Sequence, residues 1–392
     1  MTIRSPMNNN IKIAYCLPSL YIPGGMERVL TIKANHLADV LGYEVYIILT
    51  DEKDKEPYYE LSPKINVIHL DVNFNELWNQ PLHKKLFLYL QKQREYKKKL
   101  TACLMSLRPD ITVSMLRREI NFINSIKDGS KKVGEIHINR ENFREMDEEG
   151  KNPIKRFISK FWMWQLVRQL KKLSSFVVLT REDAAKWTEL SNITVIHNPL
   201  PFFPDKFSTT ENKEVIAVGR YVYQKGFDIL IDSWQHVAKR HPSWKLRIYG
   251  EGEREPLQAQ IDRFGLTESC ILEHAVPNII DKYSESSIFV LSSRYEGFGM
   301  VIVEAMSCGV PPVSFACPSG PRDIIDDGID GLLVENGNVE QLAEKISVLI
   351  ADNELRKKMG EQARMDVERF KIENIGKQWD ALFRRLITTT RQ

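Results

Sequence analysis

Short apolar runs alternate with segments of helical periodicity along the whole chain, and this alternation constrains the fold more than any other feature. In the first half the apolar runs are 11–17, 45–50, 67–70, 111–115, 133–138 and 176–180. In the second half they are 215–219, 246–249, 270–273, 288–291, 312–315 and 331–334. Strands that alternate with helices in this way form parallel sheets with crossover helices. We therefore predict an α/β protein with doubly wound parallel sheets.

The length of the chain predicts more than one domain. At 392 residues it exceeds what one ordinary hydrophobic core organises. The best linker is 198–205, where three prolines in six residues interrupt helices and central strands alike. We predict an N-terminal domain over 1–200, a C-terminal domain over 201–370, and a helix over 371–392 that packs back toward the N-terminal domain. A ligand cleft is expected between the C-terminal strand edges of the two sheets.

Composition narrows the class of protein. Hydrophobic residues make up 43% and charged residues 27%, as in soluble globular proteins, and the net charge of +3 is too small to argue for nucleic acid. The five cysteines are dispersed and lack a C-x-x-C, which indicates reduced thiols. Residues 1–10 lack an apolar signal region, and no apolar run approaches the length of a membrane span. A cytoplasmic protein is expected.

The segment 292–306 reads as a strand end, a glycine-bracketed turn and a helix. It carries Glu296 at the strand end and Glu304 within the helix, with seven residues between them. Such a turn can present backbone N–H groups and the positive end of a helix to an anion. A carboxylate in the helix can accept hydrogen bonds from paired hydroxyls, so the segment suits a sugar-nucleotide diphosphate. The alternative is a helix N-terminus with two solvated glutamates.

Two further loops follow predicted strands. After the first strand, Gly24 and Gly25 precede a helix and let the backbone approach a ligand closely. After the first strand of the second half, Arg220 and Lys225 place a guanidinium fork and a point charge on one loop, a combination suited to phosphate oxygens. A plain turn and a pair of solvated surface cations are the respective alternatives.

Several kinds of site have no sequence signature here. The chain has no Asp-x-Asp pair for a metal that bridges a diphosphate, no His/Cys cluster with zinc spacing, no P-loop and no G-x-S-x-G. Diphosphate charge would then be neutralised by Arg220, Lys225 and helix N-termini. A transferase that needs neither metal nor cofactor fits this pattern.

In order and spacing these motifs resemble those of the GT-B glycosyltransferases of family 4, a large retaining family, over nearly the whole chain. GT-B implies two Rossmann-like domains that face each other across a cleft. The matching motifs are Gly24-Gly25-Met26-Glu27-Arg28, His137, His197-Asn198-Pro199, Gly219-Arg220 with Lys225-Gly226, Tyr249-Gly250-Glu251-Gly252, the pair Glu296 and Glu304, and the segment 327–334.

The resemblance implies roles for individual residues. Arg220 and Lys225 would bind the donor diphosphate, and Glu304 would accept the ribose hydroxyls. Glu296 would bind a hydroxyl of the transferred sugar. His137, which follows a strand, would be an active-site histidine, although a lone histidine is more often structural. The implied catalytic residues are therefore Glu296, His137, Arg220 and Lys225. The other implied donor-binding positions are Gly24, Gly25, Val276, Phe298, Gly299, Met300 and Val301.

The segment 318–325 departs from the family pattern, because Asp323 stands where a glutamate is commoner. Details of donor recognition are expected to differ there.

Retention of the anomeric configuration is also implied by the family. A two-step route would need a carboxylate nucleophile, for which Glu296 is the only candidate. In the same-face alternative, the departing phosphate oxygen accepts the proton of the acceptor.

Two basic segments with interleaved aromatic or aliphatic residues lie in the N-terminal half, at 84–99 and 151–172. Basic amphipathic helices can lie on anionic membranes, and the alternative is a packed helix with a solvated cationic face.

We expect a hexosyltransferase that uses a UDP-sugar or, less favoured, a GDP-sugar. Its acceptor would be a glycan or lipid-linked glycan in surface polysaccharide assembly, reached from the inner face of the membrane. A nucleotide-sugar epimerase or hydrolase and a non-catalytic sugar-nucleotide sensor are the alternatives.

Overall fold

The protein divides into two compact units in a computed structural model. The residues that the structure describes are 11–77, 80–143 and 153–388. The first unit comprises the described residues up to Val178, then Lys186–Pro199 and the described residues from Ile372 onward. The second unit comprises Leu179–Ala185 and Leu200–Lys371. The short stretch Leu179–Ala185 thus groups with the second unit, although it lies within the range 1–200 predicted for the first domain.

The first unit is built on a seven-stranded parallel sheet with the order β3-β2-β1-β4-β5-β6-β7. The strands are β1 (Lys12–Leu17), β2 (Glu44–Leu49), β3 (Asn66–His69), β4 (Ile111–Ser114), β5 (Lys131–Glu135), β6 (Ser175–Val178) and β7 (Ile193–Val195). The central strands are almost wholly buried, which explains their unbroken apolar runs. Edge strand β7 was not predicted, because its three residues are only half-buried and form no such run.

Helices from both ends of the sequence belong to the first unit. They are α1 (Gly25–Asp39), α2 (Leu82–Leu107), α3 (Pro153–Leu170) and α12 (Ile372–Thr388). Helix α12 packs against α1 and buries Trp379 and Phe383. Gly376 allows this approach, since a Cβ there would lie 2.4 Å from Nε2 of His36. The Tyr43 hydroxyl also donates a hydrogen bond to Asp380 on α12.

The second unit has a six-stranded parallel sheet with the order β10-β9-β8-β11-β12-β13. The strands are β8 (Glu214–Val218), β9 (Lys245–Tyr249), β10 (Cys270–Glu273), β11 (Ile288–Leu291), β12 (Pro312–Phe315) and β13 (Leu332–Val334). The helices are α5 (Phe227–Arg240), α6 (Glu255–Arg263), α7 (Ile279–Ser284), α8 (Met300–Ser307), α9 (Pro321–Ile324), α10 (Val339–Ala351) and α11 (Asn353–Asp366). The prediction of two doubly wound parallel sheets is confirmed.

A short helix, α4 (Arg181–Lys186), begins in the stretch that groups with the second unit. The backbone N–H groups of Arg181 and Glu182 donate to the carboxylate of Asp323, at 2.8 and 3.4 Å. The N–H of Ser319 donates to the Glu182 carboxylate at 3.0 Å. The Asp323 carboxylate therefore caps the start of α4.

Because every strand pair is parallel, the C-terminal strand ends of each unit lie along one edge of its sheet. The loops that the sequence singled out follow β1, β5 and β7 in the first unit and β8, β9, β10, β11 and β12 in the second. Among the helices of the described residues, none combines the length and the apolar composition that crossing a bilayer requires.

Candidate active site

The turn after β11 forms the predicted strand–turn–helix segment. Gly299 has a φ of +97° and is the residue before α8, a backbone conformation that an L side chain rarely adopts. Met300 and Val301 begin α8, so their backbone N–H groups belong to the first turn, where helices have no internal acceptor. Phe298 is buried beneath the turn. The predicted donor-binding backbone positions 298–301 therefore surround one helix N-terminus.

Lys225, from the loop after β8, forms an ion pair with Glu296, from the turn after β11. The ammonium Nζ of Lys225 lies 2.7 Å from Oε1 of Glu296, and the two side chains are 15% and 7% exposed. The hydroxyl of Ser293 donates to the same carboxylate oxygen at 2.6 Å. Two groups predicted from loops 71 residues apart are thus in direct contact.

The side chain of Arg294, which the sequence analysis did not single out, anchors the loop after β8 through hydrogen bonds. The Arg294 guanidinium donates to both carboxylate oxygens of Asp228, at 2.9 and 2.6 Å, and to the Tyr223 carbonyl at 2.7 Å. It also lies 3.9 Å from the centre of the Tyr223 ring. Side-chain hydrogen bonds to Asp228 raise the pKa of Arg294 above its usual value. Arg294 thereby fixes the turn that carries Lys225, while Arg220 is exposed at the start of the loop.

Glu304 lies in α8 and is buried. The hydroxyl of Tyr283, a fully buried side chain on α7, donates to Oε2 of Glu304 at 3.2 Å. This hydrogen bond orients the carboxylate, and Tyr283 is a second positioning residue that the sequence did not reveal. A tyrosine flanked by Lys282 and Ser284 on a short helix carries no sequence signal of such a contact, because its partner is set by the fold.

The loop that carries Val276 is joined to the loop after β9. Oε1 of Glu251 accepts hydrogen bonds from the Ala275 N–H and from the His274 ring, both at 3.1 Å. The Ala275 hydrogen bond is the largest of the effects that lower the pKa of Glu251. The glycines of this motif are required by packing, since a Cβ on Gly250 would lie 1.9 Å from the Gly219 carbonyl oxygen.

In the first unit, Gly24 caps the start of α1 and Gly25 is its first residue. A Cβ on Gly25 would meet nothing within 4 Å, so neighbouring atoms do not require a glycine there. Gly24 and Gly25 follow β1, and His137 follows β5, with β4 between these two strands. Strand β5 ends at Glu135, three residues before the predicted end of the run at 138.

His137 is hydrogen-bonded within a buried polar cluster. Its ring nitrogen Nε2 lies 3.1 Å from Oε1 of Glu135, whose other oxygen is bonded to the ammonium of Lys33. His137 is 11% exposed, whereas Glu135 and Lys33 are almost wholly buried. Gly24, Gly25 and His137 all lie in the first unit. The other predicted site residues belong to the second.

A cavity of about 370 Å³ opens in the first unit at the C-terminal ends of β1, β2 and β3. Tyrosines and charged side chains line it. Lys55 lies 4.2 Å from the centre of the Tyr21 ring and 2.9 Å from Oε2 of Glu52. Glu52 has a φ of +57°, an uncommon backbone conformation for a residue other than glycine. The sequence analysis did not identify this cavity.

Comparisons with known proteins give a consistent family. The model of the family described as glycosyl transferases group 1 matches residues 201–366. An uncharacterized glycosyltransferase of Haemophilus influenzae is 30% identical over 377 residues, which cover 95% of this chain and 99% of the relative. The amylovoran biosynthesis glycosyltransferase AmsD of Erwinia amylovora is 36% identical over 216 residues, which cover 52% of this chain and 60% of AmsD.

A solved structure shares the fold. A mutant of S. aureus TarM, in complex with fondaparinux, alpha-GlcNAc-glycerol and UDP, aligns with a TM-score of 0.75 at 19% identity. The alignment covers 95% of this chain and 100% of the TarM chain. The two parallel-sheet, Rossmann-like domains described above are thus those of the GT-B fold. With a relative at 30% identity that is covered almost end to end, the chain belongs to the glycosyltransferases.

Proposed function

We propose that the protein is a retaining hexosyltransferase that uses a nucleoside diphosphate sugar, UDP-linked in preference to GDP-linked. The observation that carries the proposal is the Lys225–Glu296 pair beside the N-terminus of α8, within the segment that the family model matches. The UDP bound in the TarM structure supports the choice of nucleotide. The proposal includes a role in surface polysaccharide assembly, and the name of AmsD, an amylovoran biosynthesis glycosyltransferase, supports a role in biosynthesis.

In this proposal the donor diphosphate lies against Lys225, Arg220 and the first-turn N–H groups of α8. A leaving diphosphate gains negative charge in the transition state, and prearranged cations and N–H dipoles stabilise that charge. Lys225 would then neutralise both the phosphate and Glu296. Glu304, oriented by Tyr283, would accept the ribose hydroxyls. These groups would supply the charge that a bridging metal supplies elsewhere, so metal independence remains part of the proposal.

Retention is proposed to follow the same-face route. In that route the bond from the anomeric carbon to the phosphate oxygen breaks. An acceptor hydroxyl forms the new bond on the same face, and its proton passes to the departing diphosphate. Glu296 is better placed to bind a sugar hydroxyl than to attack as a nucleophile, because its carboxylate is bonded to Lys225 and Ser293. His137 would contact the transferred sugar.

The acceptor is proposed to be a glycan or a lipid-linked glycan that enters the cavity of the first unit. Its lining combines the rings of Tyr21 and Tyr59 with the charged groups of Glu52 and Lys55. Tyrosine rings offer an apolar face with a polar edge, and carboxylates accept hydrogen bonds from sugar hydroxyls. A mostly preformed cavity with a few polar groups is typical of small-ligand sites.

The test is a panel of UDP- and GDP-sugars incubated with purified protein, with mass detection of the released nucleotide and NMR of the glycosidic product. We expect release from a UDP-sugar and a product with the anomeric configuration of the donor. Release without a new glycosidic bond, even with glycan acceptors present, would favour a hydrolase. An inverted product would contradict the same-face route. Tyr59→Ala should raise the acceptor KM and leave donor hydrolysis unchanged.

We also propose that α3 rests on an anionic membrane near a lipid-linked acceptor. Phe157, Phe161 and Trp164 form an exposed stripe along α3, which we call the aromatic stripe, and they are 72%, 52% and 53% exposed. Lys160 is exposed beside the stripe, and the Arg168 guanidinium lies 4.8 Å from the Trp164 ring centre. Exposed aromatics interleaved with cations are typical of interfacial helices. Residues 151 and 152 of the predicted basic segment lie outside the described residues.

The second basic segment, 84–99, lies within α2, and the exposed residues Leu86, Phe87 and Leu90 near its N-terminus would add apolar surface. Vesicle sedimentation tests the membrane proposal. Binding to vesicles with phosphatidylserine should weaken in high salt and in Arg156→Glu/Lys160→Glu, since each cation contributes roughly 1 kcal/mol near an anionic surface. Phe161→Ser/Trp164→Ser should remove the part of binding that resists salt. Absence of binding by the unmodified protein at low salt would refute the proposal.

A further inference from the structure

A buried ion pair lies directly behind His137. Lys33 on α1 and Glu135 at the end of β5 are bonded to each other, with side chains 1% and 2% exposed. The Lys33 ammonium also lies 4.0 Å from the Trp379 ring centre and 5.1 Å from that of Tyr15. Charges so deeply buried lose the solvation of water, and apolar side chains of similar volume often stabilise a fold as well or better. Stabilisation of the fold is therefore a weak explanation for the presence of this buried ion pair.

The second oxygen of Glu135 connects the pair to His137. Oε2 of Glu135 accepts a hydrogen bond from the Lys33 ammonium, and Oε1 lies 3.1 Å from Nε2 of His137. The pair thus holds a carboxylate against one specific ring nitrogen at the C-terminal edge of the first sheet.

The charge state of Glu135 determines which way the hydrogen bond runs. Burial alone would raise the pKa of the Glu135 carboxyl, but the charge of Lys33 and the hydrogen bonds of His137 and Lys33 lower it to about 2. An ionised carboxylate can only accept hydrogen bonds, so the His137 ring must donate through an N–H at Nε2. In the neutral imidazole, the other nitrogen, Nδ1, then carries the lone pair.

We propose that Lys33 and Glu135 are positioning residues that fix His137 as its Nε2–H tautomer, so that Nδ1 is the nitrogen that accepts a hydrogen bond from a substrate hydroxyl. The tautomer follows from the contacts within the first unit, whereas its use toward a sugar rests on the proposed function. Lys33 balances the charge of Glu135, so the carboxylate orients the ring without adding net negative charge beside His137. Carboxylates that fix histidine tautomers act in this way in other enzyme sites.

NMR of the full-length protein with isotope-labelled histidine rings tests the tautomer without any substrate. The chain has eight histidines, and His137→Gln identifies the signals of this ring. We expect a hydrogen-bonded Nε2–H proton, protected from exchange, and an unprotonated Nδ1. Protonation of the neutral ring at Nδ1 instead would overturn the proposal, whatever reaction the protein catalyses.

The positioning role is tested by Lys33→Met/Glu135→Leu, which removes both buried charges together. We expect loss of the protected Nε2–H signal and at least a tenfold lower kcat, with the donor KM unchanged. Glu135→Gln keeps an acceptor oxygen and should retain the signal and part of kcat; it also serves if the double variant fails to fold. The matched control is Lys132→Met/Asp128→Asn, which removes another buried lysine–carboxylate pair, between Lys132 on β5 and Asp128 just before that strand. Unchanged kcat in a folded Lys33→Met/Glu135→Leu variant would refute the positioning role.

Discussion

Replacing Gly226 by alanine should disturb the site in a way that can be separated from a general loss of stability. Gly226 follows Lys225 directly, has a φ of +62°, and a Cβ there would lie 2.1 Å from the Ser292 carbonyl oxygen. Gly265 has nearly the same backbone, with a φ of +66°, but a Cβ there would meet nothing within 4 Å. Gly226→Ala and Gly265→Ala thus share the backbone penalty and differ in the clash.

The expected magnitudes follow from this difference. A residue other than glycine in the left-handed region costs roughly 1–2 kcal/mol, and both variants carry that cost. Ser292 and the new Cβ must separate by about 0.9 Å to reach 3.0 Å, the limit below which real Cβ atoms are essentially never found. Forcing extra atoms into a packed region costs roughly a further 1–3 kcal/mol. The free energy of unfolding should therefore fall by about 2–5 kcal/mol in Gly226→Ala and about 1–2 kcal/mol in Gly265→Ala.

The two variants, Gly226→Ala and Gly265→Ala, should differ more in turnover than in stability. The Ser292 hydroxyl donates to the Lys225 carbonyl at 3.0 Å, so a shift at Ser292 moves the residue that pairs with Glu296. A misplacement of about 1 Å can lower a rate about 100-fold. Urea unfolding measures the stability of both variants, and nucleotide release from saturating donor measures turnover at a temperature where both are folded. Equal urea midpoints, or turnover in Gly226→Ala equal to that of Gly265→Ala, would refute this reasoning.

Three further predictions concern the donor site. Lys225→Ala and Arg220→Ala should each lower turnover at least tenfold without unfolding, because each removes transition-state stabilisation on the order of 2–4 kcal/mol; near-normal rates in both would contradict the assignment. Glu304→Ala should mainly weaken the binding of bare UDP in calorimetry, whereas Glu296→Ala should mainly depress kcat, and equal losses of UDP affinity would argue against these separate roles. EDTA should leave most activity intact, and a complete loss that Mn²⁺ or Mg²⁺ restores would show that a metal is needed.

Much of the architecture could be predicted from the sequence because buried parallel strands are local, continuous apolar runs. Twelve runs were predicted, and each corresponds to a strand, although the bounds shift by a few residues. The additional strand, Ile193–Val195, lies at an edge and is only half-buried, so no local pattern marks it. The stretch Leu179–Ala185 groups with the second unit, and no local pattern marks this, because its hydrogen bonds to Asp323 join positions about 140 residues apart.

Side-chain pairing in the candidate site was less accessible to sequence reasoning. Lys225 and Glu296 were each predicted from their own loop, but their direct contact depends on β8 and β11 being neighbours in the sheet. Lys33 gave no signal at all, because a lysine in an amphipathic helix usually faces water. Its burial depends on Glu135, 102 residues away, and on Trp379 of α12.

The position of α12 reverses the order in which the two units can mature during synthesis. The second unit is complete once Lys371 has been made, because its earlier piece, Leu179–Ala185, is already present. The first unit must wait for α12, whose Trp379 covers the Lys33 ammonium. A nascent chain would therefore leave the surface of α1 that α12 covers exposed while the second unit closes. Chaperones that bind apolar surface on nascent chains would find their target at the N-terminal end of this protein.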